Sequence, residues 1–142
     1  MNWRWIKTET VLAMHEEQLV AHGGSSGVNL DLLENALQRP QNKDHYGHDS
    51  TPAELAAAYT FGIGKNHPFV DGNKRTGFLA AYAFLGKNAL DFDAPVQEVV
   101  IVIESLAAGK MTEADLVSWF KQWIRAGSET ALGELARDPV ST

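Results

Sequence analysis

Apolar residues recur along most of this chain at the 3.6-residue spacing of an amphipathic α-helix, not at the alternation of a strand. From Thr10, the positions Val11, Leu12, Leu19 and Val20 predict a first helix that Gly23-Gly24 stops. Residues 23–29 read as a turn, with Asn29 as N-cap of a second helix that runs to about Leu37 and is ended by Pro40. Residues 40–50 are polar and carry Pro, Gly, Asn and Asp, which predicts a loop or short hairpin. Thr51, Pro52 and Glu54 then form a capping box with proline at the first helical position. The helix they open carries Leu55, three alanines, Tyr59, Phe61 and Ile63, and ends before Pro68. A fourth helix is predicted from Gly72 or Asn73 to about Asn88, and a fifth from Pro95 to Ala108, stopped by Gly109. A sixth opens on Thr112, with Asp115 three residues on, and is expected to end at Gly127. Residues 128–142 are read as an extension with one short helix before a loose Asp138-Pro139 end. The pattern therefore predicts an all-α bundle over residues 1–127.

Composition narrows the class. At 142 residues the chain has the length of one domain, and 44% hydrophobic with 21% charged residues is globular. It has no cysteine, which removes disulfides, thiolate catalysis and cysteine-held metals. No apolar run approaches the ~20 residues of a membrane span, and the start lacks a secretory pattern, so a cytoplasmic protein is expected. Eighteen acidic against twelve basic residues give a net charge of −6, which argues against nucleic acid as a general partner. Locally the sign reverses: Lys65, Lys74 and Arg75 face a single acid, Asp71, over that stretch.

That stretch holds the candidate chemistry. Asn66-His67-Pro68-Phe69-Val70-Asp71-Gly72-Asn73-Lys74-Arg75-Thr76 links two predicted helices and opens the second. A helix start presents unpaired N–H groups and a positive dipole end, which cradle phosphate. Gly72 lets the backbone come close to a ligand, and Lys74 and Arg75 add cationic donors. Asp71 is a hard oxygen ligand of the kind Mg²⁺ takes beside nucleotide phosphates. His67 is suited to act as general base toward a hydroxyl. Base, metal ligand and phosphate cradle together are what phosphorus-group transfer to an alcohol needs.

These residues resemble the Fic superfamily, whose motif is H-x-F-x-[D/E]-G-N-G-R-x-x-R. Its Doc (death-on-curing) branch reads closer to H-x-F-x-D-x-N-K-R-T. His67, Phe69, Asp71, Asn73, Lys74, Arg75 and Thr76 match the Doc form position by position. The upstream Gly23-Gly24-Ser25-Ser26-Gly27, the stretch Leu32 to Leu37 and Arg39-Pro40 also look like the Doc pattern, so the likeness covers about residues 8–126. The resemblance implies an all-α Fic-fold helical bundle with a short β-hairpin flap at residues 41–49 that clamps the target as an added strand. It implies His67 as the base, Asp71 as the Mg²⁺ ligand, and Gly72, Asn73, Lys74 and Arg75 as the nucleotide phosphate site, with Phe69 anchoring the loop.

Two positions depart from the general Fic motif: Lys74 stands for its second glycine and Phe78 for its last arginine. In AMP-transferring Fic enzymes those positions help seat phosphates, whereas Doc enzymes are kinases that bind ATP in the reversed pose. The expectation is therefore a Doc-type toxin, an ATP-dependent kinase of a Thr or Ser hydroxyl, with AMP transfer as the alternative and an inactive interaction module as the second. The resemblance further implies a protein substrate, with elongation factor Tu as the family's precedent, and a Phd-like antitoxin. An inhibitory [S/T]-x-x-x-E-[G/N] helix is not matched: Thr130 to Leu135 fails at its last position, which favours inhibition in trans. Gly62-Ile63-Gly64-Lys65 lacks the Ser/Thr of a P-loop. His15 and His22 read as packing or surface residues, and His45 and His48 lack a third metal ligand nearby.

Overall fold

The computed structural model describes residues 2–47 and 50–127. Among them run six helices: α1 Thr8–His22, α2 Leu30–Gly47, α3 Pro52–Asn66, α4 Asn73–Lys87, α5 Val96–Ala107 and α6 Glu113–Trp123. Two three-residue strands, β1 Leu90–Phe92 and β2 Ile124–Ala126, pair antiparallel with Leu90 opposite Ala126 and Phe92 opposite Ile124. The expected all-α bundle is present. The predicted extension at 128–142 lies outside the described residues.

The bundle is organised around α3. Its capping box forms as the sequence predicts: the Glu54 N–H donates to the Thr51 hydroxyl and the Thr51 N–H to the Glu54 carboxylate. Small residues then bring the neighbouring helices close. A Cβ on Gly77 of α4 would lie 2.7 Å from the Thr60 carbonyl oxygen, so only glycine permits this crossing. The Thr60 hydroxyl donates back to the Gly77 carbonyl at 3.1 Å. Tyr59, wholly buried, accepts the Ile6 N–H at 3.1 Å and ties the N-terminal segment to α3. On α4, Phe84 packs between Trp3, Trp5 and Tyr59, and Phe78 joins Phe92, Trp119 and Phe120 in a second aromatic cluster. The indole N–H groups of Trp119 and Trp123 both donate to Glu98, which fastens α6 to α5.

Three expectations are corrected. Helix α2 does not stop at Pro40 but runs through it to Gly47, so residues 41–47 are helical where a loop or hairpin flap was expected. The proline removes one helical hydrogen bond, yet its ring is fully buried, and the helix beyond is held by the Trp3 indole donating to Asp44. Helix α6 ends at Trp123, not at Gly127, because Ile124–Ala126 pairs with β1 and Ile124 is extended (φ −75°, ψ 132°). Val20, counted in the apolar pattern of α1, is 85% exposed; Val11 and His15 are the buried α1 positions, and Leu12 and Met14 pack partly against the core.

Candidate active site

The segment 67–72 joins the end of α3 to the start of α4, and the α3–α4 crossing fixes both its ends. His67 is the C-cap of α3 in the left-handed conformation (φ 54°, ψ 52°), its N–H donating to the Ile63 carbonyl. Pro68 disfavours the right-handed helical conformation for the residue before it, so the chain leaves the helix at this point. Gly72, at φ 82°, is the N-cap of α4. A left-handed N-cap suits glycine, and its carbonyl accepts the Thr76 N–H.

The turn between α1 and α2 wraps this segment. Asn29 donates its N–H to the Pro68 carbonyl at 2.7 Å, and Val70 donates to the Gly27 carbonyl at 3.1 Å. A Cβ on Gly27 would stand 2.7 Å from the Val70 side chain, and Gly27 has φ 135°, so the fit needs glycine. The Ser25 N–H donates to one carboxylate oxygen of Asp71 at 2.7 Å. From α1, His15 stacks on Phe69 with ring centroids 3.7 Å apart, and its Nε2–H donates to the Asp71 carbonyl at 2.8 Å. Phe69 is buried beneath the segment.

Asn73 is the internal brace. It is 3% exposed. Its Oδ1 accepts the Phe69 N–H at 2.9 Å, while its Nδ2 donates to the Phe69 carbonyl at 2.8 Å and lies 3.0 Å from His67 Nδ1. The Lys74 stem runs over Gly64 of α3 and brings Nζ to 3.3 Å from His67 Nε2.

The six residues singled out by sequence all line one cavity of about 240 Å³: His67, Asp71, Gly72, Asn73, Lys74 and Arg75. Its far wall is Ile103 and Ala107 of α5. Neither was anticipated, because an apolar helix face carries no chemical signature. His15 and the Ser25 N–H were likewise not assigned to the site; only their position against Asp71 reveals them. A second cavity, of about 290 Å³, adjoins across Lys74 and is lined mostly by apolar groups, among them Phe61, Leu106 and Met111. Phe78 is built into the aromatic core and offers nothing to a phosphate.

Among the described residues a single carboxylate, that of Asp71, lines the cavity. Among the described residues no cluster of three or more His, Asp or Glu side chains forms a metal cage. One carboxylate beside cationic phosphate donors fits Mg²⁺, which keeps most of its waters and takes one or two carboxylates plus phosphate oxygens. None of the described helices is long and apolar enough to cross a membrane.

The sequence matches the model of the Fic/DOC family over residues 5–85, more than half of the chain. It is 43% identical over 81 residues to "Toxin Doc" of Mycolicibacterium smegmatis, covering 52% of this chain and 62% of that one. It is 26% identical over 121 residues to "Protein kinase doc" of Escherichia phage P1, covering 84% of this chain and 94% of that one. The matched span runs from the N-terminal segment into α4 and contains every residue of the loop and of the turn that wraps it, and the chain belongs to the Fic/DOC family.

Proposed function

We propose that this chain is a Doc-type toxin whose enzymatic activity transfers the γ-phosphoryl group of ATP to a Thr or Ser hydroxyl of a protein. The observation that carries this reading is the convergence of His67, Asp71, Lys74 and Arg75 on one cavity at the start of α4. His67 takes the proton of the attacking hydroxyl. The Gly72 backbone, Lys74 and Arg75 hold the phosphate oxygens at the positive end of α4. Asn73 braces the loop that carries them. Asp71 is the carboxylate that would hold Mg²⁺, with its second oxygen oriented by Ser25. The ion, when bound, neutralises the charge on the phosphates.

The position of Lys74 supports the kinase over AMP transfer. An ammonium 3.3 Å from the base attracts the most highly charged phosphate, the terminal one, to the point of attack. The residues also speak against an inactive interaction module, since His67 and Asp71 are both present in one cavity. The names of the two relatives support a toxin and a kinase chemistry. The family resemblance adds elongation factor Tu as the first protein substrate to try, a Phd-like antitoxin as inhibitor, and the cytoplasm as the place of action.

Incubation with a bacterial lysate and ATP labelled at the γ- or α-position tests the reading. The expected product carries the γ-label on Thr or Ser and releases ADP. Transfer of the α-label with release of pyrophosphate would instead establish AMP transfer.

A further inference from the structure

We infer that Asn73 decides which ring nitrogen of His67 carries the proton, and that it holds the resting neutral imidazole with that proton on Nε2. The orientation of the Asn73 amide is fixed by backbone groups of unambiguous character. The Phe69 N–H only donates, so the atom 2.9 Å from it is Oδ1; the Phe69 carbonyl only accepts, so the atom 2.8 Å from it is Nδ2. The second hydrogen of Nδ2 is then aimed at His67 Nδ1, 3.0 Å away. A ring nitrogen that accepts carries no proton, so in the neutral ring the proton sits on Nε2.

Lys74 competes for the opposite outcome. Its ammonium, 3.3 Å from Nε2, can only donate, and one neutral imidazole cannot accept at both nitrogens. Asn73 prevails for two reasons. Turning its amide over would set Oδ1 against the Phe69 carbonyl and Nδ2 against the Phe69 N–H. That loses two hydrogen bonds at a side chain 3% exposed, where no water replaces them. The Lys74 ammonium sits on a flexible stem and shifts off the Nε2 axis at small cost while staying in the cavity beside the ring.

The consequence deepens the proposed reaction and rests on that reading of His67. A base acting at Nε2 needs its lone pair there, but the Nε2–H tautomer meets the cavity as a donor. Before accepting the hydroxyl's proton, the ring must gain a proton from water at Nδ1 and release one to water from Nε2, with no net change, and the Asn73–His67 bond opens as it does so. A catalytic-triad aspartate holds its histidine in the reverse form, with the proton on Nδ1. Asn73 is a positioning residue that keeps the base in its idle tautomer until the loop is engaged.

Nitrogen-15 NMR of the histidine-labelled full chain, in the absence of nucleotide and at a pH where His67 is neutral, reads the two ring nitrogens directly. Wild type is expected to show the proton on Nε2 and an accepting Nδ1, and Lys74→Met to leave that unchanged. Asn73→Asp, which faces Nδ1 with an acceptor, is expected to swing the tautomer ratio toward Nδ1–H by roughly tenfold or more, the scale of one exchanged hydrogen bond. Asn73→Ala should move it the same way by a smaller factor, since Lys74 is then the donor left beside the ring. A proton found mainly on Nδ1 in wild type overturns the inference even if neither variant at 73 folds. So does a ratio that stays put in folded variants. The measurement uses no turnover, so it stands or falls separately from the kinase reading.

Discussion

At the scale of single residues, the site separates groups that touch the cavity from groups that hold them. His67 is exposed at the mouth and Asn73 is buried behind it, so removing one should cost chemistry and removing the other should cost order. His67→Ala is expected to lower phosphoryl transfer by on the order of 10²–10⁴ while leaving the circular dichroism and melting profile of the fold intact. Full turnover in a folded His67→Ala chain would remove His67 from the base role. Asp71→Asn keeps the size of the side chain but removes its charge. ATP affinity measured by calorimetry should then lose most of its dependence on Mg²⁺, while the Mg²⁺-free affinity changes little. Lys74→Gly returns the loop to the general Fic pattern at that position and takes the ammonium away from His67 Nε2. The γ-label transfer is expected to fall. Any rise in α-label transfer is limited by Phe78, which is packed into the core at the position where the general Fic motif has arginine.

At the scale of elements, the site exists because α3 and α4 cross so closely that the six-residue link between them has one path. Gly77→Ala tests this. A methyl group there would meet the Thr60 carbonyl at 2.7 Å, a backbone atom with no freedom to yield. Overpacking of this kind costs about 1–3 kcal/mol, and a urea midpoint measured by tryptophan fluorescence should fall accordingly. Activity should fall further than stability, because any separation of the helices pulls His67 from Lys74. Much of this arrangement was legible in the chain. Thr51-Pro52-Ala53-Glu54 announces its helix by local chemistry alone, and the six cavity residues singled out by sequence lie within the nine positions from His67 to Arg75. What was hidden depends on contacts distant in sequence. Pro40 reads as a breaker, and its burial against the core together with the Trp3–Asp44 hydrogen bond holds α2 on past it. Residues 90–92 and 124–126 are too short to show a period, and each becomes a strand only because the other lies beside it. Ile103 and Ala107 are ordinary apolar helix positions until α5 is laid against the α4 start. His15 looked like a packing or surface residue; it is indeed packed, but against the loop that carries the chemistry.

At the scale of the whole molecule, one of the ties between the N-terminal segment and the bundle is a buried phenol. Tyr59 is fully buried and accepts the Ile6 N–H, and burial pushes its hydroxyl up to about 12 despite the opposing effect of that hydrogen bond. In the unfolded chain the same group ionises near the ordinary value of about 10. Below that pH both states keep the proton, and Tyr59 gives stability no pH dependence. Between about 10 and 12 the unfolded chain releases the proton while the folded chain retains it, so the unfolded state binds fewer protons and stability declines as pH rises. A shift of this size corresponds to a loss on the order of 2–3 kcal/mol across that window. Lysine ionisation falls in the same range, so the measurement is a difference. Urea unfolding of wild type and of Tyr59→Phe should be followed from pH 8 to pH 12. At pH 8 the variant should be less stable by about 1–3 kcal/mol, because the Ile6 N–H is left without an acceptor. As the pH rises the two curves should converge, wild type losing the extra increment that the variant cannot lose. Parallel curves would mean that Tyr59 ionises at the same pH in the folded and unfolded chains, and that its burial does not hold the proton on.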